Sequence, residues 1–119
     1  MAKILLVEDN QNIARVLKIC LKNGDYKVNW VNNGTKAVDA AFNWKPDLIL
    51  LDLKIPKLNG FLVCETLQDE EATAEIPIII LSAKAEEEDI QRAYDLGAAD
   101  YMIKPIEPQE LLAKVGTYL

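Results

Sequence analysis

The chain has 119 residues, half of them hydrophobic, and its 19 acidic and 13 basic side chains give a formal net charge of −6. A chain of this length forms one domain that can bury a core without disulfides or metal, and its acidic balance, with no basic run, argues against direct binding to nucleic acid or to an anionic membrane. The absence of histidine excludes histidine metal sites, Ser-His-Asp triads and a phosphohistidine on this chain.

Five apolar runs alternate with five segments of helical periodicity. The runs predict strands at 3–7, 26–31, 48–51, 78–81 and 100–103, and the periodic segments predict helices at about 13–21, 35–44, 61–67, 86–96 and 108–119. The third run has four large aliphatic residues without alternation, which is typical of a central strand, whereas the second run alternates and is expected at a sheet edge. The pattern predicts an α/β fold, a doubly wound five-stranded parallel sheet flanked by five helices.

Local signals predict how the helices begin, end and face. Thr35 is predicted to be the N-cap of the second helix, Gly97 the C-cap of the fourth, and Pro108 lies in the first turn of the last. The first helix is expected to face the core through one apolar stripe. That stripe consists of Ile13, Val16, Leu17, Cys20 and Leu21.

Cellular location is predicted from the cysteines and the N-terminal run. Cys20 and Cys64 lie far apart in helical segments and are predicted to be small core residues in a reducing cytoplasm. The first apolar run meets Glu8 and Asp9 too soon for a secretory signal, and no run approaches the roughly 20 apolar residues that span a bilayer. A cytoplasmic protein without a membrane segment is expected.

Reactive polar groups follow four of the five predicted strands. They are Glu8 and Asp9, Asp52, Ser82 and Lys104. Each alone has a simpler explanation as a turn residue, a helix cap, or a lysine that extends to solvent. Because the carboxyl ends of parallel strands share one edge, where α/β sheets bind ligands, the groups together are expected to form one site.

The charges of this predicted site indicate what it binds. Three carboxylates and one ammonium leave about −2, and two carboxylates roughly 5 Å apart repel by about 3 kcal/mol at an effective dielectric near 20. Oxygen ligands with room for water favour Mg²⁺ or Mn²⁺. Asp52, on the middle strand, is the candidate nucleophile for a phosphoryl group, which Lys104 would pair with and Ser82 would donate a hydrogen bond to.

The motifs around these residues resemble those of response regulator receiver domains, the CheY-like domains of two-component signalling. They are Leu6-Val7-Glu8-Asp9-Asn10, Leu50-Leu51-Asp52-Leu53-Lys54-Ile55-Pro56 with Gly60, Leu81-Ser82-Ala83, and Gly97-Ala98-Ala99-Asp100-Tyr101-Met102-Ile103-Lys104-Pro105. The resemblance covers essentially the whole chain in order. It implies one receiver domain over residues 1–119, with the flavodoxin-like strand order 2-1-3-4-5.

The resemblance implies a signalling phosphoacceptor that catalyses only its own phosphorylation and dephosphorylation. Asp52 would accept the phosphoryl group from the phosphohistidine of a sensor histidine kinase or a histidine phosphotransfer protein. Mg²⁺ would lie on Asp9, Asp52 and the backbone carbonyl of Lys54, with Glu8 acting through a bound water. Lys104 would bind the phosphoryl oxygens together with the Ser82 hydroxyl.

The family resemblance also implies a conformational switch. Ser82 would move toward the phosphate and Tyr101 would rotate inward, changing a face formed by the fourth helix, fifth strand and fifth helix that a downstream effector protein reads. A simpler interpretation of Tyr101, a β-prone aromatic that fills a strand, stays open. The Lys104-Pro105 bond is expected to be cis, as in the family.

Two features differ from the usual family pattern. Glu8 is longer than the aspartate often found at the first acidic position. Lys54 and Lys84, two residues beyond Asp52 and Ser82, lie where such domains tune hydrolysis, and we hypothesise that they slow the attack of water.

Three other interpretations of the chain are open. A flavin- or nucleotide-binding domain would carry glycines and hydroxyls after the first strand, where this chain has acids. A small-molecule phosphatase would carry a second acid at position 54, and usually a cap domain. The chain could instead be the receiver part of a longer transcription factor or hybrid kinase, but Ala99 and Gly116 stand where charged dimer contacts are expected, which favours a stand-alone receiver or relay protein.

Overall fold

Ten elements alternate along the chain in the computed structural model, which describes all 119 residues. The strands are β1 (Lys3–Val7), β2 (Lys27–Val31), β3 (Leu48–Asp52), β4 (Ile78–Ser82) and β5 (Asp100–Ile103). The helices are α1 (Gln11–Asn23), α2 (Gly34–Trp44), α3 (Gly60–Asp69), α4 (Glu87–Asp95) and α5 (Pro108–Tyr118). No helix combines the length and the apolar character needed to cross a membrane.

The five strands form one parallel sheet in the order β2-β1-β3-β4-β5. This confirms the predicted fold class and places the alternating strand β2 at an edge. Val7 pairs with Leu51, and Ser82 pairs with Ile103. The strands therefore end at one level, and the residues that follow them meet along one edge of the sheet.

The core consists of two apolar layers, one on each face of the sheet. Helices α2, α3 and α4 cover one face, and α1 and α5 cover the other. Alternate residues of β3 enter alternate layers, so Leu48 and Leu50 pack with α1 and α5 whereas Ile49 and Leu51 pack on the opposite side. A strand buried on both faces needs this uninterrupted aliphatic run.

Three local predictions were wrong. Asn33, not Thr35, caps α2, and its side chain accepts a 2.9 Å hydrogen bond from the Lys36 amide. The C-cap of α4 is Leu96, and Gly97 follows it with a φ of 103°, a left-handed conformation that favours glycine. Val16 does not belong to the buried stripe of α1, because its side chain is 57% exposed.

The two cysteines are free and buried, as predicted. Cys20 belongs to the layer under α1 and α5, and Cys64 to the layer under α2, α3 and α4. Burial raises the pKa of the Cys64 thiol to about 11.

Candidate functional site

Asp52 is the last residue of β3, and it is only 5% exposed. Its Oδ1 accepts a 3.2 Å hydrogen bond from the Lys54 amide. Gly60, the first residue of α3, lies directly against this strand end, and a Cβ there would come within 2.6 Å of the Leu53 Cα and 2.8 Å of the Asp52 carbonyl oxygen. The glycine therefore allows α3 to begin against the loop that carries the carboxylate.

Glu8, Asp9 and Asp52 form one carboxylate cluster. One oxygen from each lies within 4.8 Å of the other two. Glu8 is fully buried whereas Asp9 is exposed, so one side of the cluster is buried and the other is open to solvent. Two contacts hold Glu8 in place: its Oε2 accepts from the Asn10 amide at 3.2 Å, and its backbone carbonyl accepts from the Trp30 indole N–H at 2.8 Å.

Lys104 supplies the positive charge of the cluster. Its Nζ lies 2.6 Å from Glu8 Oε1 and 3.3 Å from Asp52 Oδ2. Burial opposes the charged form of Lys104, but the hydrogen bond to Glu8 and the two carboxylate charges outweigh burial and raise the Lys104 pKa. Burial, reinforced by the neighbouring Asp52 carboxylate, raises the pKa of Glu8. The Lys104-Pro105 peptide bond is cis, as the resemblance implied.

Ser82 and Tyr101 are connected through the backbone of Lys84. Ser82 ends β4, is 1% exposed, and its Oγ accepts from the Lys84 amide at 3.0 Å. The Tyr101 hydroxyl donates to the Lys84 carbonyl at 2.8 Å. The Tyr101 ring packs against the core layer under α2, α3 and α4 and is half-buried.

The cluster fits a hard divalent cation. It offers three carboxylates and one ammonium, which pairs with Glu8 and Asp52, and one oxygen of each carboxylate lies within 4.8 Å of the others, so the three can share one ion directly or through a bound water. Oxygen-only donors with an exposed member leave room for bound water, which is the environment that Mg²⁺ prefers.

The predicted residues divide into those the structure brings into contact and those it does not. Glu8, Asp9, Asp52 and Lys104 converge. Lys54 joins them through its amide, and its side chain is exposed. Ser82 lies one position beyond the β4 residue that pairs with Asp52, and Tyr101 reaches the site only through Lys84.

Sequence reasoning missed Trp30, whose indole holds the loop that carries the acids. The alternation of β2 was a usable signal, because it places Trp30 and Val28 on the same face of the edge strand. The sequence does not indicate which carbonyl the indole would meet.

The chain matches a known protein family over nearly its whole length. The sequence model described as "Response regulator receiver domain" matches residues 4–116. The chain belongs to this family. It is thus a receiver domain of the kind found in two-component response regulators.

Curated relatives of this receiver domain are longer proteins. The DNA-binding dual master transcriptional regulator RpaA of Synechocystis is 39% identical over the whole chain, which covers 49% of that protein. The response regulator ArlR of Staphylococcus aureus is 40% identical over the whole chain, which covers 53% of that protein. The chain spans about half the length of these relatives.

Solved receiver structures share the fold over nearly their full length. The chemotaxis protein CheY4 of Vibrio cholerae superimposes with a TM-score of 0.94 at 27% identity, covering 100% of this chain and 99% of that chain. The receiver domain of the sensor histidine kinase PA1611 of Pseudomonas aeruginosa has a TM-score of 0.91 at 32% identity, covering 98% and 96%. That domain holds a magnesium ion coordinated in its active-site cleft.

Proposed function

We propose that this receiver domain accepts a phosphoryl group on Asp52, from a phosphohistidine on a sensor histidine kinase or a histidine phosphotransfer protein, and passes the signal to an effector. The observation that carries this proposal is the convergence of Glu8, Asp9 and Lys104 on a nearly buried Asp52. The family assignment and the magnesium-bound neighbour support it.

The carboxylates of Glu8, Asp9 and Asp52 would hold Mg²⁺ together with the backbone carbonyl of Lys54, with Glu8 acting through water as the resemblance implies. When bound, the ion neutralises excess negative charge and stabilises the oxygens of the transferring phosphoryl group. Manganese has no support from the neighbour and stays a prediction from the oxygen ligands alone.

The transfer itself is an in-line exchange of one bond for another. An Asp52 carboxylate oxygen forms a bond to phosphorus while the bond between phosphorus and the donor imidazole nitrogen breaks, and that nitrogen keeps the electron pair. The Lys104 ammonium already contacts the Asp52 carboxylate, so it is close enough to bind an oxygen of a phosphoryl group on Asp52 instead. Hydrolysis returns the protein to its unphosphorylated form. Water forms a bond to phosphorus while the P–O bond to Asp52 breaks, which releases inorganic phosphate and the free carboxylate.

The signal would leave the site through Ser82, Lys84 and Tyr101. A phosphoryl group that draws the Ser82 hydroxyl competes with the hydrogen bond from the Lys84 amide, and a shift of Lys84 moves the carbonyl that holds Tyr101. Phosphorylation then changes the relative populations of two conformations of the face formed by α4, β5 and α5, because the phosphoryl group makes different contacts in each conformation. A downstream effector protein would bind that face.

The side chains of Lys54 and Lys84 are proposed to slow dephosphorylation. Lys54 is exposed next to Asp52, and Lys84 is half-buried next to Ser82. An ammonium that pairs with the phosphoryl group hinders the approach of water. Lys54→Asn is expected to shorten the lifetime of the phosphoryl group, and an unchanged lifetime counts against this role of Lys54.

A second candidate concerns the protein in which this domain works. Because the chain spans about half of its curated relatives, one named as a DNA-binding transcriptional regulator, we also propose the receiver part of such a regulator. Gly116 is exposed with open space around it, and the Ala99 carbonyl accepts a hydrogen bond from the Tyr118 hydroxyl. Neither residue has a charged side chain, so neither supplies the charge expected where two receivers pair. Sedimentation with and without phosphorylation would separate pairing from a monomeric relay.

Phosphorylation by a small donor tests the main proposal. The protein is incubated with Mg²⁺ and acetyl phosphate and then weighed by mass spectrometry. The mass is expected to increase by one phosphoryl group, and this increase should be absent when EDTA removes the Mg²⁺ and absent in Asp52→Asn. Asp47→Asn is the matched control, because Asp47 lies at the opposite end of β3 and accepts from the Lys3 amide. Phosphorylation that persists in Asp52→Asn would contradict the assignment.

A further inference from the structure

A cleft of about 450 Å³ opens between the loop that precedes α3 and the inner side of α4. Three cationic side chains line it, from Lys54, Lys84 and Arg92, together with the Asn59 amide and the Phe61 ring. None of its lining residues is acidic. The function proposed above directs Lys54 and Lys84 toward the phosphoryl group on Asp52 and assigns the rest of the cleft no ligand.

The charge of this cleft is opposite to that of the chain. The chain carries six more acidic than basic side chains, yet three of its cations converge here. Lys84 has only a distant counter-charge, Asp89 at 3.9 Å, and neither Lys54 nor Arg92 takes part in an ion pair. Like charges that share a concave surface repel each other and attract an anion.

Arg92 is held in position for such an anion. Its guanidinium carbon lies 4.1 Å from the centre of the Phe61 ring, over the ring face. Phe61 is buried, so it provides a fixed platform. A guanidinium stacked in this way keeps its N–H groups free to bind an oxyanion and loses little further entropy on binding.

The cleft adjoins the phosphoacceptor. The Lys54 amide binds Asp52 Oδ1, and the Lys84 amide binds Ser82 Oγ. Lys104 contacts the other oxygen of Asp52. The backbones of Lys54 and Lys84 are therefore held by Asp52 and Ser82, separately from Lys104, which places the start of both lysine side chains beside the site.

We propose that this cleft binds the second anionic group of a small acyl phosphate while its phosphoryl group faces Asp52. This inference rests on the function proposed above and adds a binding site for a second anionic group of the donor. In the transfer, Asp52 forms a bond to phosphorus, the bond from phosphorus to the acyl oxygen breaks, and the electron pair leaves with the product carboxylate. The cleft has room for a phosphate or carboxylate group together with bound water, and the Arg92 guanidinium presents a fork of N–H donors that matches either group.

The kinetic test compares two donors at constant ionic strength in Mg²⁺. Acetyl phosphate has no second anionic group, whereas 3-phosphoglyceroyl phosphate has one. The KM for the second donor is expected to be about tenfold lower, and Arg92→Gln should remove most of that difference. The KM for acetyl phosphate should change less than about twofold in Arg92→Gln, because one exposed charge acts weakly at a distance.

Arg15→Gln is the matched control, because Arg15 is the other arginine and lies exposed on α1. It should leave both KM values as in the wild type. Equal KM values for the two donors in the wild type, or an equal effect of Arg92→Gln on both, would overturn the proposal. In either case, phosphorylation by acetyl phosphate would leave Asp52 as the acceptor.

A binding measurement keeps the test independent of phosphorylation. Inorganic pyrophosphate is titrated into Asp52→Asn in EDTA, with the Arg92 Nε–H resonance followed by NMR. A saturable shift whose dissociation constant rises about tenfold or more in the additional presence of Lys84→Gln supports the anion site. No saturable shift overturns it. If pyrophosphate binds but neither donor phosphorylates the wild-type protein, the proposed function fails and the anion site stands.

Discussion

The phenolic hydroxyl of Tyr101 donates a 2.8 Å hydrogen bond to the backbone carbonyl of Lys84. The amide of the same lysine donates to Ser82 Oγ, so a single residue links the side chain next to the proposed phosphoacceptor with the side chain on the face proposed for effectors. Neither contact uses the Lys84 side chain. The link therefore depends on the path of the β4–α4 loop and not on the identity of residue 84.

Removal of the Tyr101 hydroxyl should loosen this loop. Tyr101→Phe is expected to lower the free energy of unfolding by about 1 kcal/mol, because it leaves the Lys84 carbonyl without its protein donor. Urea unfolding measures the loss, and amide NMR shifts at residues 83–85 report the loop. Tyr26→Phe is the control, because Tyr26 packs against the opposite core layer. Unchanged loop shifts in Tyr101→Phe would show that the hydrogen bond is not formed in solution.

Lys104→Met should make the protein depend on magnesium for stability. Without metal, the variant leaves Glu8 buried without a counter-charge, which is expected to cost about 3 kcal/mol of unfolding free energy. Added Mg²⁺ should restore more stability to the variant than to the wild type, because the ion meets one positive charge fewer. Urea midpoints in EDTA and in Mg²⁺ measure both effects. Lys114→Met, which removes a more exposed ion pair with Asp100, should cost less than about 1 kcal/mol.

Trp30 is expected to position the acidic loop. Trp30→Phe removes the N–H that binds the Glu8 carbonyl and should weaken Mg²⁺ binding by about fivefold, because the loop that carries Glu8 and Asp9 loses an anchor. Magnesium titration by calorimetry measures the change. Trp44→Phe alters the only other tryptophan and should leave magnesium affinity unchanged. An equal loss of affinity in both variants would indicate a general loss of stability.

Two glycine substitutions should change the free energy of unfolding in opposite directions. Gly60→Ala places a Cβ against the backbone of Leu53 and Asp52 and is expected to destabilise the fold by more than about 2 kcal/mol. Gly116→Ala fills open space on α5 and should stabilise it by about 0.5–1 kcal/mol. Thermal and urea unfolding compare the two variants. A stabilising Gly60→Ala would mean that α3 begins farther from β3 in solution.

Asp100 should contribute an acid-dependent part of the stability. Burial favours its neutral form, but the Tyr101 amide, Lys114 and the Tyr118 hydroxyl outweigh burial and hold the Asp100 pKa below its ordinary value of 3.8. A lowered folded-state pKa gives a stabilisation that is complete above pH 3.8 and disappears as the pH falls through the folded value. Urea unfolding between about pH 2 and 6 should show a flatter acid limb in Asp100→Asn. Asp69→Asn, at an exposed position, should retain the wild-type slope.

The fold was largely predictable because each strand of a parallel sheet is an apolar run bounded by polar residues. The run in β3 and the alternation in β2 also placed those strands correctly at the centre and at the edge. The cap of α2 was not predictable to the residue, because both Asn33 and Thr35 have capping side chains and the choice depends on the loop geometry. The burial of Val16 was wrongly predicted for a similar reason. The apolar stripe predicts which face of α1 is buried, but it does not predict how much of that face the neighbouring elements cover.

The carboxylate cluster and Lys104 were predictable because topology alone brings strand ends together. The contacts of Trp30 and Arg92 were not predictable. Their contacts to Glu8 and Phe61 arise between elements whose relative positions depend on the packing of whole helices and strands. The alternation of β2 indicates which face Trp30 is on, but no local pattern indicates the contact partner of Trp30 or of Arg92.

The two buried cysteines lie in different layers, and the sheet between them has a consequence for experiments. Cys20 Sγ contacts the Pro108 carbonyl at the start of α5, and Cys64 Sγ contacts the Leu96 carbonyl at the end of α4. The intervening sheet prevents the two sulfurs from forming a disulfide within the native domain. Each thiol becomes reactive only when its own layer opens, so alkylation rates at the two positions report the local unfolding of the two halves of the molecule separately.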